Sequence, residues 1–490
     1  MNTDQLPAEL FLARQVREMD RYVIDRCFIP GISLMESAGE EGWRLLQRLW
    51  PDAGRVSVFC GPGNNGGDGY VLARLAREAG LDVTLHSSGD PEKLLDDAAT
   101  ARDRWLDAGG DIQQDVDVID ADVIVDALLG TGLDRPVKGT VGNMIDEINA
   151  ARGPVLALDI PSGLNADTGK IMGRAVNAHA TISFIGLKQG LFTGDGPEVC
   201  GDIVYASLDA PQEALLSQKP PATIYRPARP LLPRRPRNAH KGQFGHALLV
   251  GGDNGYSGAI RLAGEACLRT GAGLVSIASR AQHAPCLNLG RPELMCHGVE
   301  DGPSLKALMQ KAGVIAIGPG LGRSGWASDM LAAALDSHHT LVVDADALNL
   351  LAQDPTPREN WILTPHPGEA ARLLGCSVEE IQQDRYGAVS DLQKKYDGVV
   401  LLKGAGTLVS DGQTITVNTT GNPGMASGGM GDVLTGIIAA LLAQGLSPAN
   451  AARGGAWLHG AAADDAATAG ETGMLASDLM PFLQNRLNTA

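Results

Sequence analysis

Seven prolines fall within the 26 residues from Pro211 to Pro236 (positions 211, 220, 221, 227, 230, 233 and 236), and they constrain the fold more than any other feature of the chain. Proline fixes φ and carries no N–H, so such a stretch cannot continue a helix or join a central ladder. Arg226, Arg229, Arg234 and Arg235 are mixed among the prolines; a phosphate site near Arg234 and a plain solvated linker both accommodate that charge, the linker being the simpler reading. At roughly 150 residues per domain, 490 residues make two to four domains. The predicted organisation is an N-terminal domain over 1–212, a Pro/Arg-rich linker over 213–236 and a C-terminal domain over 237–490.

Both halves alternate apolar, β-rich runs with helical periodicity. Upstream the candidate strands are Val56 to Cys60, Val83 to His86, Val118 to Val125, Val155 to Ile160 and Ala180 to Phe184, with helical patterns over Tyr70 to Ala79 and Asp90 to Ala108. Downstream they are Ala247 to Val250, Leu274 to Ala278, Val314 to Ile317, Leu341 to Val343, Trp361 to Leu363 and Val399 to Leu402, with helices over Gly258 to Thr270 and Gly431 to Gln444. This grammar predicts βαβ units on buried parallel sheets, hence two tandem α/β domains.

Composition narrows the function classes. With 57 acidic against 40 basic residues the net charge is −17, a field that repels phosphate backbones and argues against nucleic acid as a partner. Seven scattered cysteines without a C-x-x-C favour neither disulfides nor zinc and suit a reducing compartment. No basic segment followed by an apolar one opens the chain, and the greasiest run, Val433 to Ala443, is shorter than the roughly 20 residues of a membrane span, so a cytoplasmic protein without membrane partner is expected. Ala-rich helices with apolar faces point to a homo-oligomer.

In the N-terminal half, Gly61, Gly63 and Gly66 satisfy G-x-G-x-x-G between a strand and a helix, but the next strand ends Leu85-His86-Ser87-Ser88 with no acid to hold a ribose. A common dinucleotide oxidoreductase is therefore disfavoured. The loop still offers N–H groups at a helix start for an anion, with oxygens from Asn64, Asn65 and Asp68. Asp126, Asp159 and Ser162 follow predicted strands, so with Asn65 they should gather at the carboxyl edge of the sheet. Two carboxylates there need a proton or a cation between them, and an Asn amide, a carboxylate and a Ser oxygen are hard ligands; a helix-capping role for either acid is the plainer alternative. The motifs Asn64-Asn-Gly-Gly-Asp68, Asp126-Ala-Leu-Leu-Gly-Thr-Gly132 and Asp159-Ile-Pro-Ser-Gly-Leu-Asn-Ala-Asp-Thr-Gly169 together resemble the NAD(P)H-hydrate epimerase family. The resemblance implies a Rossmann-like parallel-sheet domain and a potassium ion on Asn65, Asp126 and Ser162. It further implies substrate contacts from Asn64, Asn65, Gly66, Gly67 and Asp68, from Gly130, Thr131, Gly132, Leu133, Asp134, Arg135 and Pro136, and from Asp159 near the reacting ring.

In the C-terminal half, a Gly-Gly-x-Gly-Asp run ending at Asp432 opens a helix, setting N–H donors and a positive dipole end beside a carboxylate. That suits phosphoryl transfer, with Asp432 taking a hydroxyl proton, although an N-cap Asp is the bland reading; no P-loop is present. His366 between two prolines reads equally as a rigid turn and as a binding imidazole, Asp344 and Asp346 as phosphate-side or magnesium-side groups or as a polar strand end, and His338 and His339 as surface groups. Asn254-Gly-Tyr-Ser-Gly-Ala259, Gly318-Pro-Gly-Leu-Gly322, Asp344-Ala-Asp-Ala-Leu-Asn349, Thr364-Pro-His-Pro-Gly-Glu369 and Gly428-Gly-Met-Gly-Asp432 resemble the ADP/ATP-dependent NAD(P)H-hydrate dehydratases of the ribokinase superfamily. The resemblance implies a ribokinase-like fold and hydrate contacts from Ala259, Gly320, His366 and Asp432. Lys403, Gly404, Ala405, Gly406, Thr407 and Gly431 would hold the adenine nucleotide, ADP with Mg2+. A ribokinase-class kinase of a vitamin or sugar with a regulatory N-terminal half, and a dinucleotide-binding scaffold without turnover, are the competing expectations.

Overall fold

The computed structural model describes residues 3, 5–115, 119–227 and 230–488, and it divides into two compact units, residues 1–223 and 224–490. Val118 of the strand expected over 118–125 and Arg229 of the linker lie outside the described residues.

The first unit carries a six-stranded sheet. Its strands are β1 (Arg55–Cys60), β2 (Asp82–Ser87), β3 (Val123–Ala127), β4 (Val155–Leu158), β5 (Ala180–Phe184) and β6 (Asp202–Ala206). They lie in the order β2-β1-β3-β4-β5-β6 and every pairing is parallel. Side chains alternate across the pleat: Val56, Val58 and Cys60 join a core with Trp43, Leu46, Tyr70 and Trp105, while Phe59 and Ile124 join another with Ile145 and Ile148. The helices supplying these residues are α2 (Gly31–Leu49), α3 (Asn64–Glu78), α4 (Asp96–Asp107) and α5 (Gly139–Ala150), with α1 (Ala13–Arg26) before them. The chain runs from β1 out to β2 and then crosses back to β3, so the carboxyl ends of β1 and β3 flank the point where the winding reverses. Beside this sheet, Glu9–Phe11 pairs with Leu187–Lys188 and with residues 222 and 223.

In the second unit nine strands lie side by side, β7 (His246–Val250), β8 (Leu274–Ser279), β9 (Met295–Gly298), β10 (Val314–Ile317), β11 (Thr340–Val343), β12 (Trp361–Leu363), β13 (Val399–Leu402), β14 (Thr407–Ser410) and β15 (Ile415–Asn418). The order is β9-β8-β7-β10-β11-β12-β13-β14-β15, parallel as far as β13 and antiparallel beyond it. Over it pack α6 (Ser257–Arg269), α7 (Pro367–Leu374), α8 (Met430–Ala443) and α9 (Pro448–Ala466). The greasy run from Val433 is the buried core helix α8, and a Cβ on its Gly436 would lie 2.1 Å from the carbonyl oxygen of Ala263 on α6. Among the described residues no helix is long and apolar enough to cross a membrane.

Three expectations need correction. Residues 64–68 are not a loop but the first turns of α3, which begins six residues before the apolar periodicity at Tyr70. The proline-rich stretch is not devoid of structure: the eight residues between Pro211 and Pro220 suffice for a short helix, Gln212–Leu216, and Ala222–Ile224 is a short strand. The Ala-rich helices α8 and α9 bury their apolar residues in the core of their own unit, so they leave no free face of the kind that suggested an oligomer. Of the linker arginines, Arg235 stacks on Phe244 at 3.7 Å and donates to Gly271 O and Gln444 Oε1, all within the second unit.

Candidate functional site

Close backbone approach builds the first site. A Cβ on Gly61 would fall 1.6 Å from the carbonyl oxygen of Leu128, and one on Gly66 would fall 2.0 Å from that of Gly61, so the start of α3 sits directly on the ends of β1 and β3. Only glycine permits this contact. Asp126, at the end of β3 and fully buried, accepts hydrogen bonds from Leu128 N (3.2 Å), Ser162 N (2.8 Å) and Ser162 Oγ (2.6 Å). Burial lifts its carboxyl to about 6, with those three donors opposing. Ser162 Oγ in turn accepts from Leu129 N at 2.8 Å. The next residue, Gly130, stands against Asn65: its Cβ would be 3.2 Å from that of Asn65 and 3.8 Å from Asp159 Oδ2. Both amide atoms of Asn65 are buried without a hydrogen-bond partner.

Asp159 follows β4 with φ +66°, a left-handed value that costs a non-glycine residue energy and aims its carboxyl off the strand end. Its Oδ1 accepts from the ammonium of Lys188, which is wholly buried and also donates to Ser183 Oγ and Phe184 O, both at 3.1 Å. A cavity of about 490 Å³ opens here, lined by Asn64, Asn65, Asp68, Asp159 and residues 128–135, with α1 and α2 completing its wall. Pro136 is absent from that lining, and Gly66 and Gly67 are occupied in packing, Gly67 against Met35 of α2. Sequence reasoning missed Lys188, Asp20 and Arg17. Lys188 did carry a signal: a single cation inside the apolar run Phe184-Ile-Gly-Leu-Lys-Gln-Gly-Leu-Phe192 is buried only with a partner.

The second site gathers where β11, β12 and β13 end. Asp344, 1% exposed, accepts from Lys403 Nζ (2.7 Å) and Thr435 Oγ1 (2.7 Å). Glu369 Oε2 lies 3.8 Å from the same ammonium. Burial pulls the lysine down, but Asp344, Glu369 and Asp432 together hold it above its ordinary value. Gly431 sits over this pair, its Cβ position 3.3 Å from Lys403 Nζ. Asp432 is in the first turn of α8; burial and the charge of Asp344, opposed by Lys403, push its carboxyl up to about 7. A carboxyl poised there exchanges protons readily at neutral pH.

Ala259 and Gly320 are neighbours, the Cβ position of Gly320 being 3.1 Å from Ala259 Cβ and 2.9 Å from that of Tyr256. Lys403 through Gly406 form the turn between β13 and β14, with Thr407 opening β14, and the buried guanidinium of Arg385, which sequence reasoning missed, donates to Leu402 O (3.4 Å) and Lys403 O (3.2 Å) behind that turn. His366 caps α7, Nδ1 accepting from Gly368 N (2.9 Å) and Glu369 N (3.4 Å), so the rigid-turn reading describes its backbone role. Asp346 Oδ2 accepts from Gly322 N at 3.0 Å, tying the β11 end to the Gly318–Gly322 loop. His338 is exposed and His339 half-buried.

A parallel sheet wound outward from a reversal point with a polar cavity there, followed by a unit that sets a proton-exchanging carboxyl and a lysine at a glycine-rich helix start, defines a two-site α/β enzyme of nucleotide chemistry. Residues 31–190 match the family described as YjeF-related protein N-terminus, and residues 247–485 match NAD(P)H-hydrate dehydratase. The bifunctional NAD(P)H-hydrate repair enzyme of Coxiella burnetii is 48% identical over 98% of this chain and 99% of its own length, and that of Escherichia coli 45% over 99% and 95%. A solved ADP/ATP-dependent NAD(P)H-hydrate dehydratase from Bacillus subtilis, co-crystallised with ATP and Mg2+, is 32% identical over 52% of this chain and 93% of its own, with a TM-score of 0.48. The chain belongs to the family of bifunctional NAD(P)H-hydrate repair enzymes.

Proposed function

We propose that this chain restores reduced nicotinamide dinucleotides that have added water at C6 and can no longer carry hydride. The second unit dehydrates the S hydrate. Asp432 takes the proton of the C6 hydroxyl as its oxygen bonds to the terminal phosphorus of ADP and AMP departs; loss of phosphate with a C5 proton then restores the ring double bond. The observation that carries this reading is Asp432 itself, held near pH 7 beside Lys403 at the glycine-rich start of α8. Ala259, Gly320 and His366 receive the hydrate, and Lys403 through Thr407 with Gly431 receive the nucleotide. Magnesium enters with the phosphates and needs only one or two protein carboxylates. Asp344 has both oxygens engaged by Lys403 and Thr435, while Asp346 accepts its hydrogen bonds from neutral donors, Gly322 N (3.0 Å) and Asn349 Nδ2 (3.4 Å), and is the acid left to meet it.

The first unit interconverts the R and S epimers, so that neither is stranded. Asn64, Asn65, Asp68, Gly130 through Arg135 and Asp159 contact the hydrate, while Asn65, Asp126 and Ser162 fit potassium. The buried amide of Asn65, neither atom of which has a partner, and the Asp126 carboxylate with the Ser162 hydroxyl that donates to it at 2.6 Å are hard oxygen ligands of the kind such a cation takes. Bound there, potassium supplies fixed positive charge that keeps the end of β3 and the 128–130 turn in place.

The test is recovery of near-UV nicotinamide absorbance from a mixed-epimer hydrate with Mg2+, K+ and ADP, with ATP alongside. Complete recovery is expected; a stall at the S fraction would refute the epimerase assignment, and no recovery with either nucleotide would refute the whole reading. Replacing K+ by choline is expected to abolish the R-epimer phase and to lower the unfolding midpoint of the first unit, since a ligand at 100 times its Kd stabilises by about 2.7 kcal/mol.

A further inference from the structure

Helix α1 precedes the residues 31–190 that match the family description, yet Val16, Arg17, Asp20 and Ile24 from it wall the cavity of the first unit. Arg17 Nη1 donates to Thr131 O at 3.2 Å and so fastens α1 to the 130–135 segment. Across the cavity stands Asp68 of α3, 9% exposed. Asp159 has its ion pair with Lys188, whereas among the described residues neither Asp20 nor Asp68 is held by a hydrogen bond or a salt bridge. Asp68 is buried and Asp20 half-buried, and two carboxyls without partners that face one cavity from different walls are open to a ligand there.

We propose that Asp68 and Asp20 are the acid and the base of the epimerisation, acting on opposite faces of C6 with one proton between them; this rests on the repair reading above. Neutral Asp68 protonates the C6 hydroxyl as the C6–O bond breaks, the N1 lone pair forms a C6=N1 double bond and water departs. Water then adds to the other face of C6 while the Asp20 carboxylate takes one of its protons, and the C6=N1 electron pair returns to nitrogen. Atoms and oxidation level are unchanged, and the proton that passed from Asp68 to Asp20 returns in the reverse turnover or by exchange with solvent. The carboxylate of Asp159, fixed by Lys188, stabilises the transient cation.

The protonation states agree with these roles. Burial, then the charges of Asp159 and Asp20, hold Asp68 well above the usual carboxylate range against the pull of Lys188. Burial, helped by Asp159 and opposed by Lys188 and Arg17, lifts Asp20 to about 6. Asp68 is thus the more firmly protonated of the two and Asp20 the readier base, the separation that two-carboxyl chemistry needs. Cys60 behind Asp68 is kept a thiol by burial, and the other ionisable wall groups are Asp97, Asp134 and Arg135.

The experiment follows R-to-S conversion by the full-length chain in K+, with dehydration of pure S hydrate as the internal reference. Asp20→Asn and Asp68→Asn, which preserve shape, are expected to lower kcat for conversion by about 100-fold or more with KM within about threefold, S-hydrate dehydration being unchanged. Unaltered protein should lose conversion as pH falls through about 6, because the Asp20 base is then protonated; Asp20→Asn should lack that limb and Asp20→Glu should restore part of the rate. An Asp20→Asn protein converting within threefold of the unaltered rate overturns the proposal. So does an unaltered protein whose conversion does not decline below pH 6, whatever the variants do. Failure of the unaltered protein to convert R to S at all overturns the epimerase reading and this inference with it.

Discussion

Replacing Asp432 by asparagine removes nucleotide-dependent dehydration by roughly 10²- to 10⁴-fold while leaving exchange between hydrate epimers at full rate. The amide fills the same space in the first turn of α8, so the helix and the Asp344–Lys403 pair beneath it stay in place, and what is lost is the proton acceptor. The pH dependence has a definite sign. The carboxyl is raised to about 7 and works as a base only when ionised, so kcat/KM for dehydration falls as pH drops through about 7 in the unaltered protein, and the variant has no such limb. Near-UV recovery from pure S hydrate across pH measures both; a variant that retained more than a few per cent of the rate would remove Asp432 from its role.

Lys188→Met destabilises the first unit by about 3 kcal/mol, because removing one partner of a buried ion pair leaves the other charge uncompensated. The methionine has nearly the length of the lysine and occupies the same buried channel, so the cost comes from Asp159, Ser183 Oγ and Phe184 O losing their common donor rather than from a void. Asp159 cannot relax easily, since its left-handed backbone holds the carboxyl on the cavity side. Hydrogen exchange at the amides of β4 and β5 should accelerate about 100-fold, the equivalent of that free energy, while the amides of β10 and β11 in the second unit keep their rates. Unchanged exchange in β4 and β5 would show that the pair contributes nothing net. The Lys188→Ala change, which adds a cavity, should be worse.

Most strands were legible because both sheets are buried on two faces: Ala180 to Phe184, Val314 to Ile317, Trp361 to Leu363 and Val399 to Leu402 begin and end where their apolar runs do. The strands that escaped, such as Met295–Gly298 at one sheet edge and the hairpin Thr407–Ser410 with Ile415–Asn418, are edge or antiparallel elements with weaker apolar character. The start of α3 escaped for another reason. Glycine, with the poorest helix propensity of any non-proline residue, fills its first turns because the helix must touch β1 and β3, and local propensity yields to that tertiary contact. The same holds for the sites. Side chains carried at strand ends, Asp126, Asp159 and Ser162, were readable from position, and Asp126 and Ser162 do meet. Groups that reach a site from elsewhere in the chain, Asp20 from α1, Lys188 from beyond β5 and Arg385 behind the 403–406 turn, have no local pattern pointing to their destination.

The histidine that caps α7 has committed its tautomer. With Nδ1 accepting from two backbone amides, the single ring proton resides on Nε2, and burial with the nearby ammonium of Lys403 keeps a second proton away. The half-exposed edge of that ring therefore speaks one chemical language: it can donate to an oxygen and cannot accept from a hydroxyl. Any molecule settling there is selected for a carbonyl, carboxamide or phosphoryl oxygen at that point, in competition with Glu369 Oε1 at 3.4 Å from Nε2, and a hydroxyl oriented to give up its own hydrogen must find it a home elsewhere.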